Sequence, residues 1–416
     1  MKTNWKMMSA VLAAGAMLLA TSCSESSSDD AMPALGGEIA SGQTLVGNVT
    51  SDAYLLKDGT YKLSGGLHVK SGATLHIAEG VTIEAIDDAV VDYILVEQGG
   101  KIDAQGTASK PIVMTSELKK PGAWGGIHIC GRAHTNAGAG VLSEIGNAPY
   151  GGSDDADNSG TLRYIRLEYT GFAFDEEHEA NGVSFYGVGN GTTVEYLQAY
   201  KGSDDGFEFF GGSVDVKHMV STSCSDDSFD WTEGWNGRGQ FLVAYQEGES
   251  TLGYECDCLM ECDNNGTNFS ATPVAHPVLA NLTLVGNGST ESTHGIRLRA
   301  GTQVELCNAL ITGKPGCITL ETTETEQALK EGTSKLTHIA MSSELVSEKG
   351  IYTNSDFEAA TDNSTDYTPA LTNHYVGTVA GGEAPSDSFF TAANYKGAVP
   401  ADNDWTAGWT CLLYTS

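Results

Sequence analysis

The chain has 416 residues, with 54 acidic against 22 basic side chains and a formal charge of −32. Such a balance argues against nucleic acid as a partner, because phosphate binding depends on clustered lysine and arginine. It suits cations, calcium-bridged polyanions or neutral sugars, with simple solubility as the plain explanation.

At the N-terminus, Lys2 and Lys6 precede an apolar stretch from Met7 to Ala20 and the small residues Thr21 and Ser22, the three parts of a secretory signal. The stretch falls short of the roughly 20 residues needed to span a bilayer, which argues against an uncleaved anchor helix. Leu19-Ala20-Thr21-Ser22-Cys23 resembles the lipobox of bacterial lipoproteins, which implies removal of residues 1–22 and lipid on Cys23. Loss of Lys2 and Lys6 takes the formal charge to −34. The run Ser24 to Asp30 is too poor in apolar residues to fold, so residues 23–42 read as a flexible acidic tether. Acidic runs in this place resemble the surface-export signals of Bacteroidetes-type lipoproteins, implying the outer face of the outer membrane. Export also permits disulfides among the eight remaining cysteines. Cys256, Cys258 and Cys262 are spaced as zinc ligands might be, but the register described next turns Cys262 inward, favouring a disulfide or buried thiols.

Glycine supplies 51 residues and proline only 10, which points to many short strands and tight turns. Repeats support this. Leu67-His68-Val69 returns as Ile94-Leu95-Val96, and Gly72-Ala73-Thr74-Leu75 as Gly99-Gly100-Lys101-Ile102, both 27 residues on. A sharper register carries Val194, Leu197, Asp204, Asp205, Phe207, Glu208 and Phe209 onto Val216, Met219, Asp226, Asp227, Phe229, Asp230 and Trp231, 22 residues later. The triplet Val183-Ser184-Phe185 aligns with Phe207-Glu208-Phe209, Phe229-Asp230-Trp231, Met260-Glu261-Cys262, Ile296-Arg297-Leu298 and Ile318-Thr319-Leu320. Strand side chains alternate faces, so the outer members of each triplet point inward and the middle member outward. The fold class is therefore all-β: a right-handed parallel β-helix over residues 43–340, since a β-sandwich needs no fixed period. The polar stretch Ile145 to Gly160 reads as a loop protruding from one coil. Residues 341–416, with Phe389, Phe390, Tyr395, Trp405 and Trp409, read as a C-terminal aromatic-rich cap.

Several segments, among them Gly122-Ala123-Trp124-Gly125-Gly126-Ile127, Ser203-Asp204-Asp205-Gly206-Phe207-Glu208, Asp226-Asp227-Ser228-Phe229-Asp230-Trp231 and Trp405-Thr406-Ala407-Gly408-Trp409-Thr410, resemble bacterial β-helix surface lipoproteins of pectate-lyase-like architecture. The resemblance implies fold and surface location, while function must be argued from a site. A second likeness is to pectin-cleaving β-helix hydrolases, through Asp204-Asp205, Asp226-Asp227 and His294-Gly295-Ile296-Arg297-Leu298-Arg299. Arg299 stands where that pattern has lysine, and its Asn-Thr-Asp motif is missing, so catalytic residues are not assigned.

Reading the middle positions down the stack places Glu208, Asp230, Glu261 and Arg297 about one coil spacing, roughly 4.8 Å, apart, with His294 beside them, as a candidate ligand-binding ladder. Asp204-Asp205, Asp226-Asp227, Asp257-Cys258 and Thr293-His294 form a second file at the preceding turn, with Asp204, Asp205, Asp226 and Asp227 as the candidate metal ligands. Crowded carboxylates raise each other's pKa or recruit a cation, and calcium, the candidate cofactor, takes six to eight oxygens in irregular cages. Turn aspartates also cap backbone N–H groups, and an outward ladder can be plain solvated charge. Three functional readings compete: a module binding a glycan along the acidic face with Phe210, Trp231 or Trp235 stacking where exposed; a lyase or retaining hydrolase acting on uronate-containing glycans; and a structural or adhesive surface protein. The anchor is tested directly by feeding cells an alkyne fatty acid. The wild type should be labelled and Cys23→Ala should not, and equal labelling of the two would remove the lipid from the account.

Overall fold

The computed structural model describes residues 32–411 apart from 139 and 174–178; Cys23 and the signal segment lie outside the described residues. Twenty-three strands join into one hydrogen-bonded set, with each strand of a coil pairing in parallel with its counterparts before and after it. This is a right-handed parallel β-helix. Both sequence periods match the pairing: Leu67 lies beside Ile94 and Leu75 beside Ile102, while Val194 pairs with Val216 and Phe207 with Phe229.

Each central coil has three faces. Strand Thr193–Tyr200 bends at Tyr196, whose φ is 57°, so its two halves form two faces and strand Phe207–Phe210 forms the third. The same left-handed bend recurs at His218, Phe241, Asn281, Asn308 and His338. Inside, alternation holds: Phe185, Phe207, Phe209, Phe229 and Trp231 belong to one core running through the stack. Phe185 stacks on Phe209 with ring centroids 5.0 Å apart, and Phe207 on Phe229 at 5.5 Å, an offset-stacking distance.

Three boundaries differ from the sequence reading. Strand Ala34–Ile39 pairs with Thr44–Leu55, so the solenoid begins inside the stretch expected to be a tether. The protruding loop starts earlier than Ile145: after strand Ile127–Cys130 the chain leaves the coil, forms the antiparallel pair Val141–Leu142 and Pro149–Tyr150, and returns at strand Gly160–Glu168.

The C-terminal segment is only partly a cap. Leu345, Tyr352 and Phe357 close over the core. The chain then turns back along the flank as a strap, where Asn308 donates to the Ala393 carbonyl, Asn281 to the Tyr395 carbonyl and Gln240 to the Thr391 carbonyl, and the Cys411 N–H reaches Gln198. It covers a face whose outward column, Gln198, Val220, Val243 and Thr283, is fully buried. Val220 and Val243 are apolar although they point outward, and Tyr375, Val399 and Trp409 pack on them. An apolar outward column needs a cover, and the aromatic tail supplies it.

The third face, which carries Glu208 and Asp230, has no such strap among the described residues. Its register is tested by paired substitutions. Phe229→Ala should cost about 3–5 kcal/mol in chemical denaturation as a truncated buried aromatic, whereas Glu208→Gln should be mild or stabilising. Equal losses would show the register to be wrong.

Candidate functional site

Strand pairing delivers the expected ladder. Ser184 lies beside Glu208, Glu208 beside Asp230, Asp230 beside Glu261, Glu261 beside Arg297 and Arg297 beside Thr319. Ser184 and Thr319 are buried at its ends, and Glu208 and Asp230 are half-buried at the floor of a groove of about 370 Å³. The lining consists of ten carboxylates, from Glu144, Glu179, Asp204, Asp205, Glu208, Asp226, Asp227, Asp230, Asp257 and Glu261, against the guanidinium groups of Arg297 and Arg299.

The turn aspartates take two roles. Asp205 Oδ1 accepts the Asp227 N–H at 2.9 Å, and Asp227 Oδ1 accepts the Cys258 N–H at 2.7 Å. Both are therefore backbone caps, as aspartate in a tight turn commonly is. Their carboxylates also meet those of the ladder: Asp205, Glu208 and Asp230 bring oxygens within 4.8 Å of one another, and so do Asp227, Asp230 and Glu261. Gly206 lets the turn sit this low, because a β-carbon there would stand 2.6 Å from the Ser228 carbonyl oxygen of the next coil. Asp204 and Asp226 group with Glu179, and Asp226 also groups with Asp205 and Asp227.

Charge compensation is uneven along the groove. Glu261 is paired twice, with Arg297 Nη1 at 2.8 Å and Arg299 Nη2 at 2.6 Å, and the same arginines reach Glu321 and Asp263. Glu208 receives one hydrogen bond, from Asn181 Nδ2 at 2.6 Å. Asp230 Oδ1 is shielded from solvent and has no hydrogen-bond partner. Burial first, and neighbouring carboxylates second, push the carboxyls of Asp205, Glu208, Asp227 and Asp230 well above their usual range. Asp204 is raised to about 8 by burial and then by Glu179 and Asp226. Burial also raises Glu261, opposed by Arg299 and Arg297.

Other expected participants fall outside the groove. His294 bonds Thr319 Oγ1 through Nδ1 and does not line it, and burial lowers its pKa. The stacking aromatics are not exposed: Trp231 and Trp235 are each 1% exposed and Phe210 7%. Trp231 points inward as the third member of its triplet, and its indole N–H donates to Thr302 inside the solenoid. The eight described cysteines are free thiols, and Cys258 sits with Asp227 and Asp257 rather than with Cys256 and Cys262.

One residue that the repeats did not reveal, Glu144, comes from the excursion between coils. Asp257, which the repeats place in the turn file one coil after Asp226, precedes Cys258 at the end of a second excursion that contains helix Glu249–Leu252. Asn181 occupies the turn position that Asp205 and Asp227 hold in later coils, and this offset could have identified it.

A family model described as a pectate-lyase-like β-helix domain matches residues 47–410, which include every ladder strand. No curated protein and no solved structure matches the chain. The match spans most of the sequence, and the chain belongs to the pectate-lyase-like β-helix domain family.

Proposed function

We propose that this chain is a lipid-anchored cell-surface protein that binds an extracellular glycan along the acidic groove, with calcium joining protein carboxylates to ligand oxygens. The observation that carries the reading is the cluster of carboxylates around Asp230, whose own Oδ1 is buried without a hydrogen-bond partner. Burying like charges is costly unless they are protonated, paired or coordinated to a metal. An oxygen-only donor set suits a hard cation, and a cation bound there leaves coordination positions for the hydroxyl or carboxylate oxygens of a sugar. Among the described residues the lining is carboxylates and guanidinium groups, which suits polar recognition.

The catalytic readings are less well supported. A lyase with Arg297 as base would need a neutral guanidine, yet this group is held between Glu261 and Glu321. Burial pulls its pKa down, but the two glutamates more than offset this and hold it above the ordinary arginine value. A retaining hydrolase has one observation in its favour: Glu208 and Asp230 bring oxygens within 4.8 Å, near the roughly 5 Å carboxylate separation of such enzymes. A scaffold or adhesive role is the reading that remains if no ligand is retained.

A glycan array read in calcium and again in chelator separates these roles. The expected result is retention of an acidic or neutral glycan that needs calcium and is lost in Asp230→Asn, with the glycan recovered intact. Shortened or unsaturated products would replace binding by catalysis, and no retention in either condition would leave the scaffold role.

The pH dependence of stability is an independent check. The folded, metal-free protein holds protons on Asp205, Glu208, Asp227 and Asp230 more tightly than the unfolded chain does. Their contribution is therefore full below the unfolded carboxylate pKa of about 4 and is lost as pH rises through the folded values. In chelator, the melting temperature should fall between pH 5 and pH 8, and it should fall less steeply in Asp230→Asn. Calcium should reverse the loss by mass action, by about 2.7 kcal/mol at a hundredfold excess over its dissociation constant. A wild-type melting temperature that does not respond to millimolar calcium would remove the cation from the proposal.

A further inference from the structure

We propose that the groove holds two hard-cation sites, one coil apart, that share the carboxylate of Asp230. This rests on the reading that the acidic groove takes cations, and it fixes their number and position.

The argument comes from the coil repeat. At each step along this face three side chains meet: the turn residue two positions before the strand, the outward residue of that strand, and the outward residue of the next coil. In the first step the turn residue is Asn181, and its Nδ2 fills the space, donating to Ser184 Oγ at 3.0 Å and to Glu208 Oε2 at 2.6 Å. In the last step the next-coil residue is Arg297, whose Nη1 donates to Glu261 Oε1 at 2.8 Å. A donor nitrogen thus closes both ends of the series.

The two steps between them contain acceptors alone. Asp205, Glu208 and Asp230 form one triad, and Asp227, Asp230 and Glu261 form the other, each with oxygens within 4.8 Å of one another. The 22-residue repeat carries Asp205 onto Asp227 and Glu208 onto Asp230. It carries the backbone caps as well, since Asp205 Oδ1 holds the Asp227 N–H and Asp227 Oδ1 holds the Cys258 N–H. Each turn carboxylate is therefore oriented the same way before any ligand arrives.

Two buried atoms point independently to something that is not protein. Asp230 Oδ1, in the residue common to both triads, is out of contact with solvent and lacks a donor. Asn181 is 1% exposed, donates to Glu208 of the first triad through Nδ2, and leaves its own Oδ1 without a partner. Buried acceptors without donors are costly, and a cation in each triad supplies what Asn181 Nδ2 and Arg297 supply in the flanking steps. Three carboxylates provide three to six of the six to eight oxygens that calcium takes. Water or ligand oxygens at the groove mouth complete each shell.

The test is calorimetric titration of calcium chloride into the chelator-stripped full chain. Wild type should bind two equivalents. Asp205→Asn and Asp227→Asn, in which the amide oxygen can still cap the backbone, should each bind one, and Asp230→Asn should lose both sites or weaken them by at least tenfold. Circular dichroism and the elution volume of each variant confirm the fold. A single equivalent in wild type, or loss of all binding in both single-triad variants, would overturn the shared pair. Two bound calcium ions with no glycan retained on the array would sink the glycan reading and leave this one standing. Calcium-independent glycan retention with no calcium bound would do the reverse.

Discussion

Everything in this molecule depends on in-register parallel pairing of one coil on the next. Because the pairing repeats at about 4.8 Å with no shift in face, a side-chain choice made once is multiplied into a column. Inward columns become a core without further instruction, as in the run from Val69 through Val96, Ile129, Phe185, Phe209 and Trp231. Outward columns magnify chemistry instead. One valine outside is unremarkable, but Val220 on Val243 is an apolar stripe that needs a cover. One outward glutamate is solvated, but Glu208 on Asp230 on Glu261 is an electrostatic problem.

The two outward columns are resolved in opposite ways, and this places the site. The face carrying Val220 and Val243 is sealed by the returning C-terminal strap, with Trp409 packed on Tyr164 and Tyr196 at 5.6 and 6.1 Å between ring centroids. The face carrying the acidic ladder is left open, and the excursion containing Glu144 brings another carboxylate toward it instead of a lysine or an arginine. Basic side chains are present but confined: Arg297 and Arg299 pair with Glu261, Glu321 and Asp263, so their ion pairs end one coil short of Asp230.

Period and alternation made the fold and the ladder legible in the sequence, because both follow from local side-chain direction. The triplet alignment placed Glu208, Asp230, Glu261 and Arg297 on one line, and the pairing puts them there. What alternation cannot give is what lies over a face. It identified the outward members but not the strap, so aromatic residues that cover a flank read as an end cap. Trp235 was a candidate for stacking where exposed, yet it packs inside against Phe209 at 4.2 Å between ring centroids. Glu144 enters from an excursion that breaks the period, and a break in the period hides register. The choice between capping and cation binding for Asp205 and Asp227 was undecidable from composition, because a carboxylate has two oxygens and one can cap while the other faces the groove.

The acidic row is also informative about what the coil repeat requires of a sequence. If carboxylates on this face served solubility alone, they would gain from spreading toward water, since exposed charges at high dielectric repel weakly. Instead Asp205 and Asp227 are buried, Glu208 and Asp230 are half-buried, and the tight turn at Gly206 holds the carboxylates close. Substituting one such residue by a neutral isostere would relieve the repulsion at little structural cost, because its hydrogen-bonding duties are few. An arrangement that is unfavourable in the empty protein and easily relieved is typical of a functional site, where local rules of stability are broken for a purpose. The two ends of the row show how that relief looks when it is built in: an asparagine amide at one end and an arginine at the other. Between them the fold keeps the acceptors and leaves Asp230 Oδ1 without a donor.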